Sequence, residues 1–154
     1  MTDTIFQASD LAGSRRVEFL DAARGGGARL RDRDGMSLVM LPESTLRLLE
    51  TLAAWWESYT RLDCLLRRAD NVPSARDLGD LSWLRSFDRD DMGEFLGELH
   101  DALVAASADR DSAVLDNCIK AWRITARQLE DPLRRSVLTG KHVDSDFIEV
   151  SEPK

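Results

Sequence analysis

The sequence predicts an α+β protein in which a β-α-β-β-α module is followed by an all-α C-terminal region. Three observations lead there. The hydrophobic period changes repeatedly within residues 1–41, a triple glycine and an Asp-Gly pair punctuate those changes, and the chain beyond residue 77 carries only helical spacing. A length of 154 residues suits one domain or two small modules. The expected division is a module over 1–70, a linker over 71–77, a helical domain over 78–140 and a tail over 141–154.

Thr4 to Ala8 reads as a short strand. Ser9 then offers an N-cap oxygen to an amphipathic helix carrying Leu11, Val17, Phe19, Leu20 and Ala23. Gly25, Gly26 and Gly27 stop that helix, because glycine takes the left-handed conformations that helix ends use. From Ala28 to Arg33, Ala28 and Leu30 alternate with Arg29, Arg31 and Arg33, the period of a strand with one wet face. Asp34-Gly35 is a tight-turn signal, and the almost wholly apolar run Met36 to Leu41 is expected to be a strand covered on both faces.

Pro42 suits the first turn of a long helix reaching Ala69. Leu48, Leu52, Trp55, Tyr59, Leu62 and Leu66 recur at spacings of 4 and 3, with Leu49, Ala53 and Trp56 forming a second partial stripe. Adjacent Trp55 and Trp56 point in different directions, so one of them needs a second partner. In the second half, Leu78, Leu81, Trp83 and Leu84 make a short helical segment. Asp88 caps a helix with Met92, Phe95, Leu96, Leu99, Leu103 and Ala106 inside. Asp109 to Asp111 break the pattern, and Asp111 or Ser112 caps a further helix with Leu115, Cys118, Ile119, Trp122, Ala126 and Leu129 on one face. Asp131-Pro132 opens a last short helix that Gly140 closes, and 141–154 is a tail. Trp83, Phe87, Phe95 and Trp122 give this half enough apolar bulk to fold unaided.

Chemistry for catalysis is sparse, and no enzymatic activity is expected. His100 lies off the main apolar stripe and reads as a surface residue, while His142 sits in a Gly-Lys loop lacking the earlier glycine of a phosphate loop. The triple glycine runs from helix to strand, the reverse of the order that aims helix-start amides at phosphate. Asp88, Asp90, Asp91, Glu94, Glu98 and Asp101 cluster at the start of a helix without a calcium-loop glycine, and read as cap and solvated face. Cys64 and Cys118 have no metal or disulfide spacing and read as small core residues. Thus neither a cofactor nor a metal is expected. No apolar run approaches the roughly 20 residues of a membrane span. The opening MTDTIFQASD lacks the features of a signal peptide, so a cytoplasmic location is expected, without a membrane partner.

Charge divides unevenly. The formal net charge is −7; residues 1–70 hold 10 basic and 11 acidic side chains, and residues 71–154 hold 11 and 17. Affinity for nucleic acid rests on neutralising phosphates, so only a local arginine face in the first half could bind DNA. The acidic half suits a basic partner instead.

The stretch from Phe6 to Glu50, and within it ASDL (Ala8 to Leu11), FLDAA (Phe19 to Ala23) and RDRDGMSLVMLPES (Arg31 to Ser44), resembles the N-terminal module of Phd/YefM-type antitoxins, the prevent-host-death family. The resemblance covers about a third of the chain. It implies a Phd/YefM-like β-α-β-β-α module that forms a homodimer and binds operator DNA as an autorepressor, with a C-terminal part that neutralises a toxin, here expected to be basic. Carried onto this sequence, it places DNA contacts at Arg15, Arg16, Arg24 and Arg31. Met40, Leu48, Leu52, Trp55, Trp56 and Tyr59 form the expected dimer or partner interface. The alternative is an orphan dimeric scaffold that binds neither DNA nor toxin.

Overall fold

The computed structural model describes residues 4–68 and 71–131. The protein is of mixed α+β class, with one three-stranded sheet and mostly helix elsewhere. The chain divides into two units. One runs through Glu57 and takes in Leu103–Val114, and the other comprises Ser58–Ala102 and the residues from Leu115 on.

In the first unit, strand β1 (Ile5–Gln7) leads into a 3-10 helix (Ala8–Ala12) and then into helix α1 (Arg16–Arg24). The single amphipathic helix expected to begin at Ser9 is therefore two pieces. Ser9 lies inside the 3-10 turn and caps nothing, because Gln7 and Asp10 form the reciprocal cap there. Gly13 and Ser14 interrupt the helical run, and Arg15 occupies the N-cap of α1 with no side-chain cap bond. After Gly26 at φ 134°, a conformation open to glycine, strand β2 (Ala28–Arg31) pairs parallel with β1, placing Phe6 opposite Leu30. Gly35 at φ 81° completes the turn into β3 (Ser37–Met40), which pairs antiparallel with β2 and sets Leu30 opposite Leu38 and Ala28 opposite Met40.

Strand alternation puts Phe6, Ala28, Leu30, Leu38 and Met40 on one face of this sheet, and Ile5, Arg29, Arg31 and Val39 on the other. On the first face, Phe6, Ala28, Phe19 and Ala23 form a buried cluster flanked by Leu11, Leu20, Ala22 and Leu30. The rings of Phe6 and Phe19 meet edge to face with centroids 5.3 Å apart, the favoured arrangement of aromatic quadrupoles. The wet face expected of β2 is present, with Ala28 buried and Arg29 and Arg31 exposed. The expectation for Met36 to Leu41 fails, however. All four residues of β3 are exposed, with no layer among the described residues covering them.

Helix α2 (Glu43–Arg68) follows Pro42, whose carbonyl accepts from the backbone N–H of Leu46. Its apolar stripe is buried at Leu62 and Leu66, and half-buried at Leu48, Leu52, Trp55 and Tyr59. Trp55 and Trp56 are both half-buried, as two directions on one helix allow. Helix α3 (Ala75–Leu78) begins inside the stretch expected to be a linker, because Ser74 and Asp77 form a capping box. A 3-10 segment (Gly79–Ser86) then leads to α4 (Arg89–Asp109), capped by Asp88 and Asp91, each carboxylate accepting the other's backbone N–H. Arg110 takes a left-handed φ of 55°, and Asp111 accepts from Ala113 N–H at the start of α5 (Ala113–Glu130). The final helix from Asp131-Pro132 to Gly140 and the tail over 141–154 lie outside the described residues, apart from Asp131.

The second unit is organised around Phe95, which is fully buried on α4. Its ring meets Trp83 and Trp122 edge to face, at 5.4 Å each, and Trp122 in turn meets Phe87 at 5.2 Å. Leu78, Leu84, Met92 and Leu99 are also fully buried in this unit. Arg61 pairs with Asp80, Arg85 pairs with Glu130, and Arg89 donates to the carbonyl of Leu66. Each of these contacts joins segments distant in sequence.

Two outcomes follow from this packing. Phe95→Ala removes the ring that touches both tryptophans and should destabilise the protein by about 3–5 kcal/mol in urea unfolding. Asp77 is held below the usual carboxylate range by the Ser74 hydroxyl and then by the Ser74 backbone N–H. A depressed folded value stabilises the protein above the unfolded pKa of about 3.9. That contribution fades as pH falls through the lower folded value. Carboxyl NMR titration should place Asp77 below 3.9, and Ser74→Ala should return it toward that value.

Candidate functional site

The clearest surface feature of the first unit is apolar. Leu38 (43 % exposed), Met40 (45 %) and Val39 (60 %) on β3 are open on both faces of an edge strand, and Met36 in the preceding turn is 64 % exposed. Leu46 and Leu49 on the first turns of α2 are exposed as well. β3 carries no charged side chain, the usual protection of an edge strand. Of the residues expected at an interface, Met40 belongs to this exposed set. Leu48, Leu52, Trp55 and Trp56 are half-buried in the first unit, and Tyr59 is half-buried in the second, with its ring 5.6 Å from that of His100. Met36, Leu38 and Val39 were not expected to be open, since their unbroken apolar run signals burial on both faces. Absence of a covering layer is a tertiary property.

The four arginines expected to reach DNA do not form one cluster. Arg15 is tied within the module: its Nη1 donates to Asp10 at 3.0 Å, its Nε donates to Glu18 at 3.1 Å, and its guanidinium lies 4.9 Å from the centre of the Phe6 ring. These carboxylates raise its pKa further, the Glu18 hydrogen bond contributing most. Arg16, next along, is exposed and makes no ion pair among the described residues. Arg24 ends α1 in an exposed pair with Asp21 at 2.8 Å. Arg31 points to the sheet face opposite Phe6, whereas Arg15 stacks on Phe6 itself. Arg15 and Arg31 therefore lie on different sides of the sheet.

The carboxylates at the start of α4 are divided among local tasks. Asp88 and Asp91 cap the helix, Glu98 accepts from Trp122 Nε1 at 2.6 Å, and Asp101 lies 3.3 Å from His100 Nδ1. Asp90, Glu94 and Asp101 are exposed. Among the described residues no group of three or more His, Cys, Asp and Glu side chains is arranged to hold a metal ion. Cys64 and Cys118 are half-buried free thiols rather than full core residues, and burial pushes the Cys118 thiol up. No helix among the described residues is long and apolar enough to cross a membrane.

No family model, curated protein or solved structure matches this chain. The surfaces themselves therefore carry the functional reading.

The arginine geometry sets up a direct comparison. Arg15→Ala should lower the melting temperature, because it removes two ion pairs and the cover over Phe6. Arg16→Ala, which removes neither, should leave the melting curve within error, as measured by circular dichroism.

Proposed function

We propose that this chain is a non-enzymatic, homodimeric, antitoxin-like protein of the cytoplasm. Two copies pair through the α+β module in the manner of the Phd/YefM proteins that it resembles. The acidic helical half binds a basic protein toxin, and the paired module binds operator DNA as an autorepressor. The observation that carries this reading is the exposure of Leu38, Val39 and Met40 along the edge strand β3, with Met36, Leu46 and Leu49 exposed nearby in the sequence. An uncharged, exposed apolar edge strand of this kind marks an interaction site. A second copy supplies the matching surface by symmetry, as an isologous contact requires. For the toxin, support comes from charge: residues 71–154 carry 17 acidic against 11 basic side chains, which steers a basic partner toward this half.

A second reading keeps the dimer and drops both DNA and toxin. It is favoured by the arginines, since Arg15 is engaged by Asp10 and Glu18 and Arg31 lies across the sheet from it.

Sedimentation equilibrium should give twice the chain mass, and Val39→Lys combined with Met40→Glu should give a folded monomer. A wild-type protein that stays at monomer mass throughout the concentration range sinks the pairing. Electrophoretic retardation of the gene's own upstream DNA at low salt separates the two readings, with affinity falling as salt rises if phosphates are contacted. Co-expression with a small basic protein encoded next to the gene should yield a stable complex on the antitoxin reading and none on the scaffold reading.

A further inference from the structure

The second unit contains a pocket of about 260 Å³ lined by Trp83, Arg85, Arg123, Ala126, Arg127 and Glu130. Three arginines, Arg85, Arg123 and Arg127, line one small space in a half of the chain whose overall charge is negative. The only carboxylate among the described lining residues, Glu130, already accepts from Arg85 Nη2. Arg123 lies over the Trp83 ring, 5.6 Å from its centre, and Arg127 makes no ion pair among the described residues. The pocket is thus cationic beyond what its own carboxylate neutralises.

Local structural roles account for only part of this. A cation in the last turn of α5 is stabilised by the helix dipole, which explains Arg127. The dipole does not explain Arg123, about two turns from that end, nor Arg85 approaching from the 3-10 segment. Arg123 and Arg127 stand four residues apart on α5, a spacing at which like charges repel. An anion between them reverses the sign of that term. Stacking on Trp83 also restrains the Arg123 guanidinium while leaving its in-plane N–H donors open. Such restraint lowers the entropy lost when a ligand binds.

We propose that this pocket binds a small organic oxyanion, a carboxylate or a phosphate monoester. Arg123 and Arg127 hold the charged group, and the ligand's apolar body lies against Trp83 and Ala126. Guanidinium donors match the paired oxygens of both oxyanions. The volume fixes the size class, falling below the roughly 300–1,000 Å³ typical of pockets for drug-sized ligands.

Benzoate, phenyl phosphate and inorganic phosphate, with neutral benzyl alcohol as the control for shape, are titrated into the full-length protein. The signal followed is the Trp83 indole N–H resonance, assigned by its loss in Trp83→Phe. That N–H is buried without an acceptor among the described residues, so its shift reports what settles on the ring. Benzoate or phenyl phosphate should produce a saturable shift, and whichever saturates at lower concentration identifies the oxyanion. Inorganic phosphate should bind more weakly than phenyl phosphate. Arg123→Gln and Arg127→Gln should each weaken binding about tenfold, the loss expected for one charge-assisted hydrogen bond. Both side chains are exposed, so the variants should fold, as unchanged circular dichroism would verify. The proposal is overturned if neither aromatic anion moves the resonance by about 10 mM, a very weak affinity. It is equally overturned if benzyl alcohol gives the same shift, or if the shift survives in the folded Arg123→Gln/Arg127→Gln double variant.

Discussion

One α-helix about 10 Å across can shield two β-strands spaced about 4.8 Å apart, and not three. The first unit has three strands and, packed on the Phe6 side, the short helix α1 with Leu11 of the 3-10 turn. Its core accordingly joins Phe19 and Ala23 to Phe6 on β1 and Ala28 on β2, and stops there. Leu38 and Met40 share that sheet face with Phe6 and Ala28 yet remain exposed, and Val39 is exposed on the reverse face. The antitoxin-like reading and the scaffold reading both grow from this shortage of cover.

The second unit solves the same problem differently. Its helices are long enough to surround their own apolar surface, and aromatic rings fill the interior: Phe95 between Trp83 and Trp122, with Phe87 beyond. Edge-to-face contacts of this kind add about 0.5–1.5 kcal/mol per pair to the gain from burial. The polar end of Trp122 reaches Glu98, so the half-buried ring packs without stranding its N–H. Arg61, Arg85 and Arg89 then tie α2, the 3-10 segment Gly79–Ser86, α4 and α5 together.

Charge in this protein is local rather than global. The net charge of −7 obscures arginines that serve different ends. Arg15 locks the start of α1 to Asp10 and Glu18, Arg85 is half of a long-range ion pair, and Arg123 rests on an indole. The acids at the start of α4 are likewise shared between caps, an indole acceptor and a histidine neighbour, leaving Asp90 and Glu94 to solvent. An acidic chain can therefore carry a cationic pocket, because fields at such range are set by the nearest few groups once salt screens the rest beyond about 10 Å.

Local chemistry was legible in the residues themselves. The glycine stop, the Asp-Gly hairpin, the Asp88 cap, the break at Asp109 to Asp111 and the stripe from Leu48 to Leu66 depend on neighbours within a few positions, where backbone preference and helical period act directly. Where the pattern misled, the cause was either a competing neighbour or a missing layer. Ser9 lost the cap to Gln7 and Asp10, and Gly13-Ser14 split a helix whose apolar spacing runs on without a gap. The apolar run at Met36 to Leu41 announces burial but cannot say whether the same chain holds a layer to provide it. The pocket was out of reach for a related reason: Arg123 and Arg127 are visibly four apart on one helix, but Arg85 and Trp83 arrive from a segment some forty residues earlier. Sequence alone determined the mixed α+β class, the strands of the small sheet and the long helices with their apolar stripes, since those properties are local. Only the tertiary structure decided which faces stay open and which arginines meet, since both depend on where distant segments pack.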